Sequence, residues 1–205
     1  YAGIFCPARE DVAGIRARLL IATPSRNAAS AGQKRRIVRV ADISTTFLDL
    51  VGERSVVSAE FERRLSARYR RQWHSAQQSQ VVSVHVRMGD FSPAPVENVI
   101  NVNGSTATPV SWYFDVCSRI GDRYPNLSFN VYSDGRDEQL LPLLELPRVS
   151  RVRDLGAMDS IISISKSRML VASGSTFSKW AAFLGGLPTL YYPGQMRQSV
   201  HGLQK

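Results

Sequence analysis

The chain has 205 residues, of which 43% are apolar and 21% are charged, so it can bury a hydrophobic core and is not an intrinsically disordered protein. No apolar run approaches the ~18 residues that a bilayer span requires. Two cysteines are too few for a disulfide scaffold. We interpret Cys6 and Cys117 as two thiols and leave a single bridge between them open.

The net charge of +9 is concentrated in the first part of the chain. Residues 1–80 contain 14 Lys or Arg and 7 Asp or Glu, whereas residues 81–205 contain 12 and 10. This excess favours a polyanionic contact, with a nucleic acid, an acidic lipid or a phosphorylated ligand, as much as it favours a solvated basic surface. We do not expect a nucleic-acid partner, because no nucleic-acid-binding motif accompanies the charge.

The first 80 residues predict few regular elements. Residues 11–21 have the apolar spacing of a helix, and residues 36–41 are typical of a strand. Residues 57–73 are apolar at every fourth position, which predicts one amphipathic helix that Ser58 caps. Its outer face is basic. We expect the apolar face to pack on a sheet, and a peripheral contact with an acidic membrane surface is the alternative.

From residue 80 onward, strands and helices alternate. The predicted helices cover residues 111–123, 137–144, 157–166 and 176–184, and the predicted strands cover residues 80–87, 127–133, 148–152, 168–173 and 187–192. Ser111 is expected to cap the first of these helices. This alternation predicts an α/β fold in which helices cover both faces of a parallel sheet. We therefore divide the chain into residues 1–80, a partial or small N-terminal region, and residues 81–205, a domain that binds its ligand where the strands end.

The strand predicted at residues 80–87 ends in an unusual polar segment. His85 and Arg87 share one face of the strand, and Gly89 follows, where the backbone can turn and approach a ligand. The planar guanidinium of Arg87 suits phosphate oxygens. Taken alone, this segment is better explained by a structural ion pair between Arg87 and Asp90.

Two further strand ends carry small polar residues. Asp134 follows the second strand, where it is either a ligand acceptor or an ordinary turn residue. Ser175, Thr176 and Ser178 begin the last helix, where free backbone N–H groups bind anions or where Ser175 or Thr176 simply caps the helix. The chain contains no Gly-rich dinucleotide fingerprint, no P-loop and no Asp-x-Asp triplet.

Together these segments resemble three motifs of the GDP-fucose-dependent α-1,2 and α-1,6 fucosyltransferases. Residues 85–90, His-Val-Arg-Met-Gly-Asp, resemble the H-x-R-R-G-D motif of that family. Residues 132–135 are similar to its second motif, and residues 175–184 resemble its third. The resemblance covers residues 81 to 192 and implies a GT-B fold with a Rossmann-like C-terminal domain.

The resemblance also implies an activity: metal-independent, inverting transfer of fucose from GDP-fucose to a glycan hydroxyl, with no cofactor. Arg87 would bind the β-phosphate and polarise the leaving GDP. Glu97 would be the nearest equivalent of the catalytic base, but it is offset by two positions and is better explained as an ordinary loop residue. The residues expected around the donor are His85, Arg87, Gly89, Asp134, Asp159, Ser175, Thr176, Phe177 and Ser178.

Two of these positions need comment. Asp159 falls where the α-1,6 branch has a carboxylate that reads guanine, although an Asp at the start of a helix is also explained by the helix dipole. Met88 replaces the second Arg of the first motif and removes one expected cation. Met88 and the short N-terminal region favour one alternative, a non-catalytic domain that binds a GDP-sugar. The net charge alone favours the other, a basic protein that binds nucleic acid.

Overall fold

The computed structural model describes residues 52–76, 79–89, 92–93 and 106–193. The helix predicted at residues 11–21 and the strand predicted at residues 36–41 lie outside these ranges. In chain order the elements are α1 (Arg54–Arg64), α2 (Ala67–Ser75), β1 (Val81–Val86), β2 (Ser92–Pro93), β3 (Thr106–Ala107), α3 (Val110–Arg123), β4 (Ser128–Ser133), α4 (Asp137–Leu144), β5 (Val149–Arg151), α5 (Ala157–Ser165), β6 (Met169–Ala172), α6 (Thr176–Gly185) and β7 (Thr189–Tyr191).

Five strands form a parallel sheet in the order β5-β4-β1-β6-β7, and β2 pairs with β3 separately. The chain builds outward from β1 to β4 and β5, and then returns to add β6 and β7 on the other side. The strand order therefore reverses between β1 and β6. In open α/β sheets, the crevice at the carboxyl ends of the strands at such a point is where ligands bind.

Helices cover both faces of this sheet, as the sequence predicts. On one face, Val82, Val84 and Val86 pack in a core with Tyr113 of α3 and Leu140 of α4. On the other face, α2, α5, α6 and the residue that joins α1 to α2 pack on the strands to form a second core. Its buried members include Leu65, Trp73, Ile162, Ala172 and Phe183. The side chains of a strand alternate between the two cores because they point to opposite faces.

The predicted helix at residues 57–73 is wrong: two helices replace it. Leu65 is fully buried and has an extended backbone with ψ 140°, and Ser66 begins α2 as its N-cap. The guanidinium of Arg70 donates to the carbonyls of Glu62, Arg63 and Leu65, which gives the end of α1 its missing hydrogen-bond partners.

The predicted caps of two helices are also wrong. Ser58 lies inside α1, which begins at Arg54, so it caps nothing. Ser111 was expected to cap α3, but the N-cap is Pro109, which lacks an N–H to satisfy. The helices and strands predicted between residues 80 and 192 agree with the structure to within one or two residues at either end.

The basic outer face of these helices is partly engaged within the protein. Glu60 accepts from Arg63 at 2.7 Å and from Arg64 at 2.5 Å, and Arg70 binds the carbonyls named above. In the described part of the chain, no helix is both long and apolar enough to cross a bilayer. The contact with an acidic membrane surface and the domain boundary at residue 80 stay predictions.

Candidate functional site

The strand ends that the sequence singles out meet at one edge of the sheet. β1 pairs with β4 on one side and with β6 on the other, so the residues that follow these three strands are neighbours. The backbone N–H of Ser173 donates to the carbonyl of His85 at 3.0 Å, which extends the contact between β1 and β6 to the carboxyl edge. The candidate site lies where the strand order reverses.

Asp134 holds the segment that follows β1. Its carboxylate accepts from the backbone N–H groups of Met88 at 2.8 Å and Gly89 at 3.1 Å, and its Oδ2 lies 2.5 Å from Nη1 of Arg87. Asp134 is therefore used inside the protein, as the residue that orients the Arg87 guanidinium. A contact between Asp134 and a ligand stays a prediction. Asp90, the partner expected for Arg87, lies outside the described residues.

Two glycines allow this close packing. A Cβ on Gly89 would lie 2.7 Å from Oδ2 of Asp134, and a Cβ on Gly135 would lie 2.8 Å from Sδ of Met88. Met88 packs against the core that contains α3 and α4. The residue that stands in place of the expected second Arg therefore contributes apolar packing beneath the edge and adds no charge to it.

His85 sits in a buried hydroxyl cluster beside this arginine. Its side chain is 8% exposed, and its Nδ1 lies 2.9 Å from Oγ of Ser173 and 2.5 Å from Oγ of Ser178. The two hydroxyls are 3.2 Å apart. The ring stacks on Phe177 with centroids 5.1 Å apart, so both its plane and one of its nitrogens are held by α6.

The imidazole of His85 is neutral at physiological pH. Burial lowers the pKa of His85 from 6.5 to about 4. The opposing charges of Asp134 and Arg87 act on it in opposite directions, Asp134 raising the pKa and Arg87 lowering it. The positive charge at this edge therefore comes from Arg87, and His85 adds a neutral polar group next to it.

The predicted diphosphate residues at the start of α6 differ in placement. Ser175 caps the helix by accepting from the N–H of Phe177 at 3.1 Å, and Thr176 is exposed. Ser178 is fully buried, and its hydroxyl contacts His85 and Ser173. The capping interpretation holds for Ser175. Direct contact of these residues with a donor substrate stays a prediction. Ser178 contacts His85, which lies at the carboxyl edge of the sheet.

Asp159 lies in the first turn of α5 with a side chain that is 13% exposed. Its Oδ1 is 3.6 Å from Nη2 of Arg68, which extends from α2. This position agrees with the alternative interpretation, in which an Asp at the start of a helix interacts favourably with the helix dipole. The role in reading guanine stays a prediction, and the neighbouring Ser160 lines a cleft at the carboxyl ends of β4 and β5.

That cleft has a volume of about 300 Å³ and contains residues that the sequence analysis missed. Arg151 and Arg153 line it, and both bind the carboxylate of Asp137, whose pKa is held below its usual range, chiefly by Arg153. Arg151 also donates to the carbonyl of Ser133 at 3.3 Å. The signal was the Arg-Val-Arg at the end of a predicted strand, where residues two apart share a face.

Two other expectations concern the catalytic base and a bound metal ion. Glu97, the candidate base, lies outside the described residues, and its role stays a prediction. Within the described ranges, no three His, Cys, Asp or Glu side chains are grouped so that they could hold a metal ion. Cys117 is a buried free thiol of α3, and burial raises its pKa to about 12.

No protein-family model matches the chain, and no curated protein matches it. The solved structures that are similar to it include POFUT1 in its apo form, with 15% identity over 68% of this chain and 50% of that one and a TM-score of 0.44. POFUT1 in complex with GDP-fucose has 17% identity over 70% and 50% of the two chains, with a TM-score of 0.42. The fucosyltransferase NodZ from Bradyrhizobium has 17% identity over 66% of this chain and 50% of that one, with a TM-score of 0.40.

The chain spans about half the length of each of these proteins. Similarity at this level assigns neither an activity nor a ligand to this chain.

Proposed function

We propose that the chain is the donor-binding part of a glycosyltransferase with a GT-B fold, which binds GDP-fucose and transfers fucose to a glycan hydroxyl. The observation that carries this proposal is the arrangement of Arg87. Its guanidinium is oriented by Asp134 at 2.5 Å, its side chain is 35% exposed, and it lies where the strand order of a parallel sheet reverses. An oriented arginine at that place suits the diphosphate of a nucleotide-sugar.

The chemistry explains why an arginine is needed. The bond between C1 of fucose and the β-phosphate oxygen breaks, and its electron pair stays on that oxygen. The acceptor hydroxyl attacks C1 from the opposite face, which inverts the configuration, and gives its proton to a base. Arg87 and the backbone N–H groups at the start of α6 stabilise the charge that develops on the phosphate. Glu97 is the candidate base.

Base recognition is assigned to Asp159. Guanine presents N1–H and N2–H₂ as adjacent donors, and one carboxylate accepts from both at once. Adenine and uracil lack this pair of donors. The support for the assignment is that Ser160, which follows Asp159 in α5, lines the cleft at the ends of β4 and β5.

A second candidate function is binding of a GDP-sugar without transfer. The observation that favours it is Met88, whose partly buried side chain packs against the core and leaves the edge with one cation fewer than the family motif has. Weaker stabilisation of the leaving diphosphate would slow transfer more than it weakens binding, since the charge develops only in the transition state.

Titration separates these candidates. We expect GDP and GDP-fucose to bind in buffer that contains EDTA, and ADP and a short oligonucleotide to bind far more weakly. Transfer of labelled fucose to a panel of glycan acceptors then distinguishes the enzyme from the binding domain, with Arg87→Lys as the variant. Tighter binding of the oligonucleotide than of GDP would contradict both candidates and restore the nucleic-acid alternative.

A further inference from the structure

Two buried serines converge on one nitrogen of His85. The hydroxyls of Ser173 and Ser178 lie 2.9 and 2.5 Å from Nδ1 and 3.2 Å from each other. In the described part of the chain, no other group bonds these two hydroxyls. Nε2 also lacks a hydrogen-bond partner there. Nε2 of His85 is nevertheless accessible to solvent. The side-chain atoms of the described residues that are both inaccessible to solvent and without a hydrogen-bond partner belong to other residues: Ser58, Ser66, Thr108, Tyr113 and Tyr191.

Counting hydrogens distinguishes the two neutral forms of the ring. If Nδ1 accepts, Ser178 donates to it and Ser173 donates to Ser178, so both hydroxyl hydrogens are used inside the cluster. If Nδ1 carries the hydrogen, it donates to one serine, which donates to the other, and the last hydroxyl has no acceptor. A buried donor without an acceptor is costly, so the cluster favours the form with the hydrogen on Nε2.

We infer that Ser173 and Ser178 are positioning residues that hold His85 as a neutral imidazole with its hydrogen on Nε2. Nε2 then presents a hydrogen-bond donor, at the edge of the sheet next to Arg87, to an anionic oxygen of the ligand. Phe177 fixes the plane of the ring from the same helix. That the oxygen belongs to the diphosphate of GDP rests on the proposed function, whereas the form of the ring does not. A neutral donor beside Arg87 adds a hydrogen bond without the repulsion that a second cation would bring.

The chain contains a matched control for the loss of a buried serine hydroxyl. Ser83 lies on β1, two residues before His85 and on the same face, and its hydroxyl is 2.5 Å from that of Ser167. Both serines are buried. Ser83→Ala therefore removes the same atom from a buried serine pair, at a position of the same sheet, without touching His85.

The first measurement uses the protein without ligand. Nitrogen-15 NMR of labelled histidine reports which ring nitrogen carries the hydrogen. We expect the signal of His85, assigned by its loss in His85→Asn, to show hydrogen on Nε2 at pH 7. In Ser173→Ala/Ser178→Ala the ring loses both hydroxyls at Nδ1, and we expect a mixture of the two forms. A wild-type ring with hydrogen on Nδ1, or a double variant with an unchanged signal, overturns the inference.

The second measurement is the affinity for GDP by calorimetry. We expect Ser178→Ala to weaken GDP roughly tenfold, the effect of one hydrogen bond that is no longer well aligned, and Ser83→Ala to leave it within about twofold. Ser178→Cys keeps a weak donor of similar shape, and its affinity for GDP should fall between those of the other two variants.

Equal affinities for Ser178→Ala and the wild type would overturn the inference. If Ser178→Ala does not fold, Ser178→Cys and the NMR signal of the wild type still decide it. Absence of GDP binding by the wild type would count against the proposed function alone, because the NMR experiment needs no ligand.

Discussion

The buried, neutral His85 predicts a specific loss of stability in acid. The pKa of His85 is about 4 in the folded protein, against an ordinary value of 6.5. Between these values the unfolded chain binds a proton that the folded protein does not, so the free energy of unfolding rises with pH. The contribution is complete above pH 6.5 and is lost as the pH falls toward 4.

The size of this effect follows from the two pKa values. The linkage relation gives a loss of about 2 kcal/mol between pH 7 and pH 5 from this one group, and about 3 kcal/mol by pH 4. The cause is burial, because the charged ring loses its hydration when it lies under Phe177 and α6. Other groups also titrate in this range, so the prediction concerns the difference between two proteins.

The variant is His85→Asn, which keeps a hydrogen-bonding group near the position of Nδ1 and cannot bind a proton. Urea unfolding at pH 7 and at pH 5 gives the free energy of unfolding for each protein. We expect the wild type to lose about 2 kcal/mol more than His85→Asn between the two values. Losses that agree to within about 0.5 kcal/mol, the usual error of such a comparison, would refute the burial of a neutral imidazole.

Three other predictions concern the ligand. Arg87→Lys should lower fucose transfer by at least ~10²-fold, the effect of one lost oxyanion-type donor, because a point charge replaces a planar fork; a variant with normal turnover, or one that no longer folds in a thermal melt, would contradict the assigned role. Asp159→Ala should weaken GDP by ~1–3 kcal/mol and leave ADP and UDP nearly unchanged, and calorimetry that finds equal losses for all three would withdraw the guanine assignment. Addition of EDTA should leave the affinity for GDP unchanged, since Arg87 meets the phosphate charge, and a loss that Mg²⁺ or Mn²⁺ restores would show that a metal is needed.

Local patterns in the sequence were enough to predict most of the sheet and its helices. Runs such as residues 81–86 and 128–133 are β-rich, and the predicted helices lie between such runs. The alternation of the two predicted a parallel sheet, because each strand must be followed by a crossover. It also predicted that His85, Asp134 and Ser175 would lie at one edge, since parallel strands all end on the same side.

The partners at that edge were decided by the tertiary structure. The contact that Asp134 makes with Arg87 joins the ends of β1 and β4, which are far apart in the chain. Ser178 is 93 residues from His85, and it reaches Nδ1 only because β6 returns to pair with β1 and brings α6 over the ring. A repeating local pattern reports which face of an element is buried. It carries no information about which distant element buries it.

The break between α1 and α2 has the same origin. The apolar period at residues 57–73 continues through Leu65 without a proline or glycine, so local propensity predicts one helix. Burial of Leu65 and Trp73 against α5 and α6 favours two shorter helices, and Arg70 supplies donors to the carbonyls that the break exposes. The sequence by itself determined which residues are apolar and how often they recur. Long-range packing decided where the helix ends and which side chains meet at the site, because those contacts join residues that are far apart in the chain.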